Sequence, residues 1–527
     1  MNRIIYTAIV SFLIAGTVFS QDSGNISGSL ESTTHYYVED SGMHIPKPDN
    51  PFASNNYLLL QYNNGPFSGA LQYEAYMPPL SGYPYVLEGN RLAYLNFRYR
   101  KEAIDITAGS FYEQFGNGLM FRAYESRELG INNAVNGVRI TVKPVKFLRI
   151  TGIYGRPRSY ADLSSAYLRG FDTELDLGKA INKSFGLKLA GGVVSRYQPY
   201  FGPVFNFRST VNAYSLRLSA GYSILNLETE YVHKGIDPSH PNNYDMNNGG
   251  AFLVNSNLTS GGFGMFASAR FLKGMDFRSE RETSGNYHMI NYLPSNTWQH
   301  TYLLAGIYPC STQTEGESSV QLDMNYSIPE GSLAGGRYGT RLRAGFSHVR
   351  NQDLLEYNNS PVMISFGGEV YYQDLTLEMT RKWSSSLKTV ASFTWLKYNK
   401  DVLEFPGADF VEAYIPNVEA QIRFSSRMSL KTQVQHMWTR QDNGNWIAGL
   451  AELGFAPYLS IFVSDMWNYD DDYLNVHYYN NGISVSTDYL RVSAGYCRNR
   501  EGFICAGGVC QQVPAYRGFY LMIDATF

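Results

Sequence analysis

Apolar and polar side chains alternate with a period of two along most of this chain, and this pattern constrains its fold more than any other feature of the sequence. In residues 93–100, every second side chain is apolar or aromatic, and the side chains between them are tyrosine, asparagine or arginine. The same alternation recurs in residues 171–177, 214–220, 374–380 and 418–424. Successive residues of a β-strand point to opposite faces, so each segment predicts a strand with one apolar and one polar face.

The lengths of the connections separate two all-β folds that share this alternation. A soluble β-sandwich also alternates, whereas membrane barrels join their strands by short turns at one end and long loops at the other. Here tight links at 64–66, 100–102, 384–386 and 425–427 take turns with long ones near 38–54, 78–90, 113–136, 235–248, 280–317 and 399–409. The sequence therefore predicts an all-β fold, a large closed antiparallel transmembrane β-barrel of about 24 strands, within a range of about 18 to 26.

The first twenty residues have the pattern of a secretory signal peptide. Arg3 precedes an apolar run from Ile4 to Val18, which ends shortly before Ser20 and Gln21. The run is shorter than the roughly 18 to 20 apolar residues of a spanning helix, so we expect cleavage after Ser20 rather than an uncleaved anchor. Residues 1–20 are thus predicted to be a signal peptide. Residues 21–527 are predicted to be one barrel domain with long extracellular loops, located in the cell outer membrane.

The last segment of the chain is amphipathic and stops at an aromatic residue. Phe519, Leu521, Ile523 and Phe527 occupy one face of the predicted strand, and Asp524 lies on the other. A terminal aromatic residue on such a strand resembles the signal that the outer-membrane assembly machinery reads in its barrel clients. We expect the four apolar residues to act as a terminal assembly signal, with that machinery as a partner during biogenesis and outer-membrane lipid as the surroundings.

The composition supports a barrel and argues against other classes of protein. The chain contains 42 tyrosines and 30 phenylalanines, and aromatic residues favour strands and form girdles at both edges of a bilayer. A net charge of −3 with mixed signs provides no basic stripe, so nucleic acid is not expected as a partner. The motifs G-x-S-x-G, H-E-x-x-H and G-x-x-x-x-G-K-[ST] are absent from the sequence, and we expect neither an enzyme nor a cofactor.

If the apolar side chains of each strand face lipid, the charged side chains between them point into the lumen. A basic side chain that faces lipid at the midplane costs about 2 to 4 kcal/mol, so ten charged residues are predicted to line the lumen wall. They are Arg98, Arg100, Asp172, Glu174, Asp176, Glu228, Glu230, Asp374, Glu378 and Arg423. Most of them are acidic, so this set predicts a net acidic wall and a preference for cations in a conducting pore.

Residues 109–140 hold the densest mixture of glycine, aromatic and charged residues in the chain. Within them Arg122, Glu125, Arg127 and Glu128 lie in a predicted loop. They are candidates for a constriction, because inward loops and charged rings set pore selectivity. The alternative is an ordered loop whose ion pairs only brace the wall, and the sequence leaves both open.

Three stretches outside the clearest strands are distinctive. They are Ser110-Phe111-Tyr112-Glu113-Gln114-Phe115-Gly116 with Gly130-Ile131-Asn132-Asn133-Ala134, Gln299-His300-Thr301-Tyr302 with Ile307-Tyr308-Pro309, and residues 505–516. Together they resemble an uncharacterised Bacteroidota family of exported outer-membrane β-barrels, known only as a domain of unknown function. The likeness covers most of the chain after residue 20. It implies residence in the outer membrane of a Bacteroidota cell and carries over no activity or functional residue.

Three of the four cysteines crowd near the carboxy terminus, at Cys497, Cys505 and Cys510. An exported chain matures in an oxidising space, so Cys505 and Cys510 on either side of a Gly-Gly turn predict a disulfide. Free thiols and a metal site are the alternatives. Zinc needs four ligands and no histidine is near in sequence, so no metal site is predicted. Cys310 and Cys497 have no predicted partner.

A barrel of this size cannot fill its lumen with wall side chains alone, so it is either a water channel or plugged. The first strand is expected near Asn25, so any occlusion must come from the long loops. The leading hypothesis is a porin-like channel or substrate-selective diffusion pore.

The competing hypothesis is a structural or scaffolding barrel in an outer-membrane protein assembly. Its lumen would be closed by residues 113–136 and 280–317, and its extracellular loops would bind protein partners. Exposed aromatic and apolar loop residues would favour such binding. The candidates are Tyr287, Tyr292, Leu293, Trp298 and Tyr302.

Overall fold

In the computed structural model, twenty-four long strands follow one another along the described part of the chain, and each pairs antiparallel with the next. The structure describes residues 24–181, 185–199, 207–352, 364–470 and 475–527; the predicted signal peptide at residues 1–20 lies outside them. Strands β1 to β8 are Asn25–Tyr37, Phe52–Asn64, Phe67–Tyr76, Gly89–Lys101, Ile104–Phe111, Val135–Val145, Leu148–Ser159 and Tyr167–Asp176. Strands β9 to β16 are Gly186–Tyr197, Thr210–Tyr222, Leu225–Lys234, Gly249–Ser260, Phe263–Lys273, Gly316–Ile328, Thr340–Arg350 and Val370–Lys382. Strands β17 to β24 are Leu387–Asn399, Phe410–Arg423, Met428–Thr439, Trp446–Phe455, Leu459–Asn468, His477–Ser486, Leu490–Asn499 and Tyr516–Thr526.

Pairing of β1 with β24 closes the sheet into a barrel. Ser29 lies opposite Thr526, and Tyr37 lies opposite Gly518. Beyond the strand, the Phe527 N–H donates to the Gly28 carbonyl at 3.0 Å, and the Gly28 N–H donates back at 2.8 Å. Closure pairs the backbone groups that an open sheet would leave exposed to lipid. The predicted all-β closed antiparallel barrel and its strand number are confirmed.

The two ends of the barrel differ in the lengths of their connections. At the end where β1 begins, strands are joined by tight turns such as Gly261-Gly262, whose positive φ angles of 52° and 86° suit glycine in a two-residue hairpin. At the opposite end the connections are longer, and they include residues 112–134, 274–315 and 500–515. This asymmetry is typical of outer-membrane barrels, in which the short turns face the periplasm.

The strand register separates an apolar outward face from a polar inward face. Phe97, Leu216, Val418 and Phe519 lie outward, and each is 56% exposed or more. A wall of this kind is stable only where lipid covers it, because apolar surface in water is unfavourable. The 24-strand barrel therefore belongs in an outer membrane.

Helices and additional short strands occur only in the connections of the described chain. The helices are Leu177–Ala180 and Lys400–Leu403, with single 3-10 turns at Ser41–Met43, Tyr85–Leu87, His240–Asn242 and Asn286–His288. Among the described residues, no helix is long and apolar enough to cross a membrane. Short strands pair Glu113–Phe115 with Phe121–Ala123, Glu125–Ser126 with Ile131–Asn132, and Gly502–Ala506 with Val509–Val513, while Asp162–Leu163 pairs with the end of β7.

Candidate functional site

Loop 112–134, which joins β5 to β6, folds into the lumen. Its side chains Phe115, Met120 and Phe121 are at most 2% exposed and belong to one apolar core with inward residues of the wall, among them Val194 and Val232. Apolar side chains of this loop thus replace water in one half of the outer lumen.

The tip of loop 112–134 contacts charged residues near the middle of the wall. The Asn117 backbone N–H and side-chain amide donate to Glu230 Oε2 at 2.7 and 3.0 Å. Gly116 has a φ of 58°, and a side chain there would collide with the Arg217 chain and the Glu230 carboxylate. Glycine is therefore suited to this position by both backbone conformation and space.

The first half of loop 274–315 lies against loop 112–134. The Arg122 N–H donates to the Ile290 carbonyl at 2.9 Å, and the Tyr292 N–H donates to the Gly118 carbonyl at 2.9 Å. The Asn133 amide donates to the Met289 carbonyl at 2.8 Å. The two loops therefore form one continuous layer inside the barrel.

Residues 296–308 of loop 274–315 run along the inner wall from β15 towards β19. The Trp298 N–H donates to Ser347 Oγ at 2.8 Å, and His300 Nε2 lies 2.8 Å from Asp374 Oδ2. Further along, the Leu304 N–H donates to Gln435 Oε1 at 3.0 Å. This segment is held by side chains of successive wall strands rather than by its own secondary structure.

A second apolar core forms where this segment meets the wall. Leu304, Ile307 and Tyr308 are at most 5% exposed and pack with Tyr372, Leu396, Met437 and other inward residues of β15 to β20. Burial raises the pKa of Tyr308 well above its ordinary value, with a smaller effect of Asp442, to which its hydroxyl donates at 2.8 Å.

Hairpin 502–513 covers the two loops at the end of the barrel that carries the long connections. The Ser295 N–H donates to the Gly508 carbonyl at 2.8 Å, the Tyr292 hydroxyl to the Gly507 carbonyl at 2.6 Å, and the Asn286 amide to the Cys510 carbonyl at 3.0 Å. A disulfide joins Cys505 and Cys510 within this hairpin, while Cys310 and Cys497 are free and buried. Between hairpin and loops lies a cavity of about 80 Å³, lined in part by Tyr124, Asn291 and Val509.

His288 is the most buried histidine of these loops. It is 1% exposed, its ring lies 4.7 Å from that of Tyr160, and neither ring nitrogen has a hydrogen-bond partner among the described residues. Burial lowers the pKa of His288 to about 4, so the ring is neutral at neutral pH.

Three of the four candidate constriction residues are divided between two sets of contacts. The Arg122 guanidinium lies 4.8 and 3.9 Å from the ring centres of Tyr124 and Tyr292. Arg127 forms ion pairs with Glu31 at 2.5 Å and with Glu125 at 3.5 Å. Glu125 also accepts a hydrogen bond from Gln72 at 2.6 Å, whereas Glu128 is exposed. The contacts of Arg127 and Glu125 link loop 112–134 to β1 and β3.

The strand register puts all ten predicted wall residues at inward positions, but it brings only some of them into contact. Arg217 forms an ion pair with Asp172, and Arg98 forms one with Asp105. Asp374 contacts His300 of the lumen loop. Arg100, Asp176 and Arg423 lie close to the short turns.

The inward wall as a whole is closer to charge balance than these ten residues suggest. Further basic residues at inward positions are Arg91, Arg139, Arg149, Lys188, Arg196, Arg217, Lys234, Arg270, Arg341, Arg343, Lys382, Lys388, Lys431 and Arg491. Further acidic ones are Glu31, Glu74, Asp105, Glu317, Asp323, Glu419, Glu452 and Asp524. The expectation of a net acidic wall was wrong, because it counted only strands with the clearest alternation.

The aromatic and apolar residues considered for protein binding lie within the lumen layer instead of on a free surface. Leu293 is buried, Tyr292 and Trp298 are half-buried, and Trp298 packs against Gly345 of the wall. Residues 296–308 fall within residues 280–317, which the competing hypothesis named as closing the lumen. The role of hairpin 502–513 was not predicted, although the hairpin overlaps the distinctive stretch 505–516. No group of three or more potential metal-ligating residues occurs in the part of the chain that the structure describes.

Solved structures with a similar overall shape are large outer-membrane barrels. The siderophore receptor PirA from Pseudomonas aeruginosa is 10% identical, with 96% of this chain and 81% of that chain covered and a TM-score of 0.41. The P pilus usher PapC translocation pore is 9% identical (95% and 99% covered, TM-score 0.41), and OccK1 (OpdK) from Pseudomonas aeruginosa is 6% identical (95% and 98% covered, TM-score 0.36). These similarities assign no function. No curated protein matches the chain, whereas a family model of unknown function matches residues 1–527.

Proposed function

This chain belongs to the DUF6029 family of unknown function, and from the contacts inside its lumen we propose that it is a structural barrel closed by its own loops. In this proposal the barrel has no constitutive pore. Its outer, loop-built surface is where other proteins of an outer-membrane assembly dock.

The observation that carries the proposal is the pair of apolar cores between the loops and the inner wall. Phe115, Phe121 and Leu304 are each at most 2% exposed, and all three belong to loops rather than to strands. Fully burying one such side chain contributes about 1.5 to 3 kcal/mol. Withdrawing the loops would expose these and other side chains together, so an open state is rarely populated.

Buried ion pairs of the wall lie beside the lumen loops. Arg158 of β7 pairs with Glu74 at 2.6 Å, and Arg270 of β13 pairs with Glu317 at 2.7 Å; all four side chains are 6% exposed or less. Arg270 also donates to the Pro294 carbonyl of loop 274–315. Both ion pairs join strands of the wall, so withdrawal of loop 274–315 would break the hydrogen bond from Arg270 to Pro294 but not the ion pairs themselves.

The hydrated lower lumen favours a second candidate, a substrate-selective channel whose loops act as a gate. In the half nearer the short turns, the side chains of Arg98, Arg149 and Arg343 remain 36 to 42% exposed. Charged, water-accessible walls of this kind line diffusion pores. This candidate requires movement of residues 296–308 away from β15 to β19.

Planar-bilayer recording tests the proposal. We expect no steady conductance from the wild-type protein, and a large one from a variant in which residues 296–308 are replaced by a short Gly-Ser linker. The matched control replaces residues 329–339, a turn at the opposite end of the barrel, and should stay closed. Steady conductance of the wild-type barrel would overturn the proposal in favour of the channel.

Purification from native membranes in mild detergent tests the docking part. A structural barrel should retain one or more other outer-membrane proteins at a fixed stoichiometry. If the barrel is closed in bilayers but is always isolated without other proteins, the proposal of a closed barrel stands. The proposal that other proteins dock on it is then refuted.

A further inference from the structure

Two arginines and three tyrosines form a patch on the outward face of β7, β8 and β9. Tyr154 lies opposite Arg169, and Tyr167 lies opposite Tyr197. The Arg156 guanidinium is 5.5 Å from the ring centre of Tyr167, and the rings of Tyr154 and Tyr167 are 6.2 Å apart. On β7 and β8, each arginine therefore has a tyrosine two residues away on its own strand and another tyrosine close to it on the neighbouring strand.

The patch lies near the extracellular ends of its strands. β7 ends at Ser159 and β8 begins at Tyr167, so both arginines are within three residues of the rim, or about 10 Å of strand. Tyr154 is 50% exposed, and Phe171, two residues deeper than Arg169, is 49% exposed. A tyrosine row above apolar residues marks the membrane–water interface, where lipid headgroups lie.

The part of the chain that the structure describes provides no counter-ion for these two arginines. Among the described residues, neither guanidinium lies within 4.0 Å of a carboxylate. Arg156 donates only to the Ser164 and Leu163 carbonyls, at 2.9 and 3.4 Å. The neighbouring connection, residues 198–209, contains no aspartate or glutamate in its sequence.

A second pair of outward-facing arginines, on β23 and β24, has a carboxylate that offsets its charge. Arg498 lies opposite Arg517 on β23 and β24. Both contact Asp40: Arg498 Nε at 2.6 Å and Arg517 Nη1 at 4.0 Å. Like charges on neighbouring strands are unfavourable, and there an aspartate offsets them.

We propose that Arg156 and Arg169 bind the phosphate of a lipid in the outer leaflet. A guanidinium presents planar donors that match phosphate oxygens, and the tyrosines are suited to the headgroup layer. Beneath the patch, Gly152 lies opposite Phe171, and no atom lies within 4 Å of the position that a Cβ at Gly152 would take. That open position leaves room for an acyl chain directly below the bound phosphate.

Binding of lipid A to the full-length barrel in detergent tests this assignment. The Arg156→Gln/Arg169→Gln double variant should bind lipid A roughly 30-fold more weakly than the wild type, because each basic residue contributes separately at a membrane surface. The control Arg517→Gln should bind like the wild type, and a heat-modifiability gel should show all three barrels folded. Lipid A stripped of its phosphates should bind wild type and double variant equally weakly.

Three outcomes would overturn the assignment. Equal binding of phosphorylated lipid A by the wild type and the double variant would show that the patch is not the site. An equal loss in Arg517→Gln would show general attraction to the basic rim. Displacement of lipid A by millimolar inorganic phosphate would show that the arginines recognise free phosphate rather than a lipid.

Discussion

At the scale of single residues, wall positions without side chains determine where the lumen loops can lie. Gly345 of β15 faces inward, and the space that a side chain would fill there is occupied by the Trp298 indole. The Arg343 guanidinium lies 4.6 Å from the centre of the Trp298 ring system. Gly345 and Arg343 together form the site on the wall against which Trp298 of the loop packs.

Substitution Gly345→Val should displace Trp298 and loosen residues 296–303. Overpacking a filled site costs typically about 1 to 3 kcal/mol, so hydrogen exchange of these residues should accelerate by one to two orders of magnitude. The control Gly449→Val is on the lipid-facing side of β20, where the nearest atom is 3.8 Å from the new Cβ. An unchanged rate of hydrogen exchange of residues 296–303 in Gly345→Val would contradict this packing of Trp298 against Gly345.

The buried neutral His288 predicts that the loop layer weakens in mild acid. Its pKa of about 4 lies below the ordinary 6.5, so protonation favours the state in which the loop has left the layer. The stability that neutral His288 contributes to the loop layer is fully present above pH 6.5 and is lost as the pH drops from 6.5 towards 4, by up to about 3 kcal/mol. Limited proteolysis of residues 277–290 at pH 7 and pH 5 measures this loss. A His288→Phe variant should lose this part of the pH dependence, and identical pH profiles would refute the assignment.

At the scale of elements, hairpin 502–513 acts as a cover that links connections distant in sequence. Gln511 donates to the Gly82 carbonyl, and Arg500 donates to the Ile307 carbonyl at 3.2 Å. The hairpin therefore contacts the β3–β4 connection as well as loop 274–315. Its two short strands have no other sheet to join, so the disulfide and these contacts must keep it ordered.

Replacing both disulfide cysteines, Cys505→Ser/Cys510→Ser, should loosen the hairpin without unfolding the barrel. A disulfide that closes so short a loop contributes about 2 kcal/mol. Hydrogen exchange in residues 502–513 and 286–295 should rise together, while that of β23 and β24 stays unchanged. Exchange confined to the hairpin would show that it does not hold the loop beneath it.

At the scale of the whole molecule, a single seam converts a twenty-four-strand sheet into a closed wall. β1 and β24 lie at opposite ends of the described chain, and their pairing closes the wall. Phe527 extends this seam by two hydrogen bonds to Gly28, and its ring occupies the space above that glycine. The role of Phe519, Leu521, Ile523 and Phe527 in assembly remains a prediction.

Deleting Phe527 should reduce the fraction of protein that reaches the closed barrel several-fold. The deletion leaves the Gly28 N–H and carbonyl unpaired near lipid, where an unsatisfied group is costly. The heat-modifiable band on a gel of membrane fractions measures the closed fraction. The control Tyr489→Ala removes an exposed aromatic residue from a turn at the same end. Equal yields of both variants would contradict a role for the terminal residue.

The sequence by itself determined the wall of this protein. Period-two alternation specifies which side chains face lipid and which face inward, and the lengths of the links specify which end of the barrel carries the loops. These are local properties, because a strand in lipid must be apolar on one face at every second residue. The strand number, the closed fold and the inward register of residues such as Asp172 and Glu378 follow from the pattern.

Only the tertiary structure decided what fills the barrel. The contacts of Trp298 with Gly345, of His300 with Asp374 and of Asn117 with Glu230 join residues 47 to 113 positions apart that share no periodic pattern. The apolar and charged side chains of a loop inside a lumen match the wall residues that they contact. They do not follow a pattern set by their neighbours in sequence. The path of such a loop inside the lumen is set only when the wall strands are brought together around it.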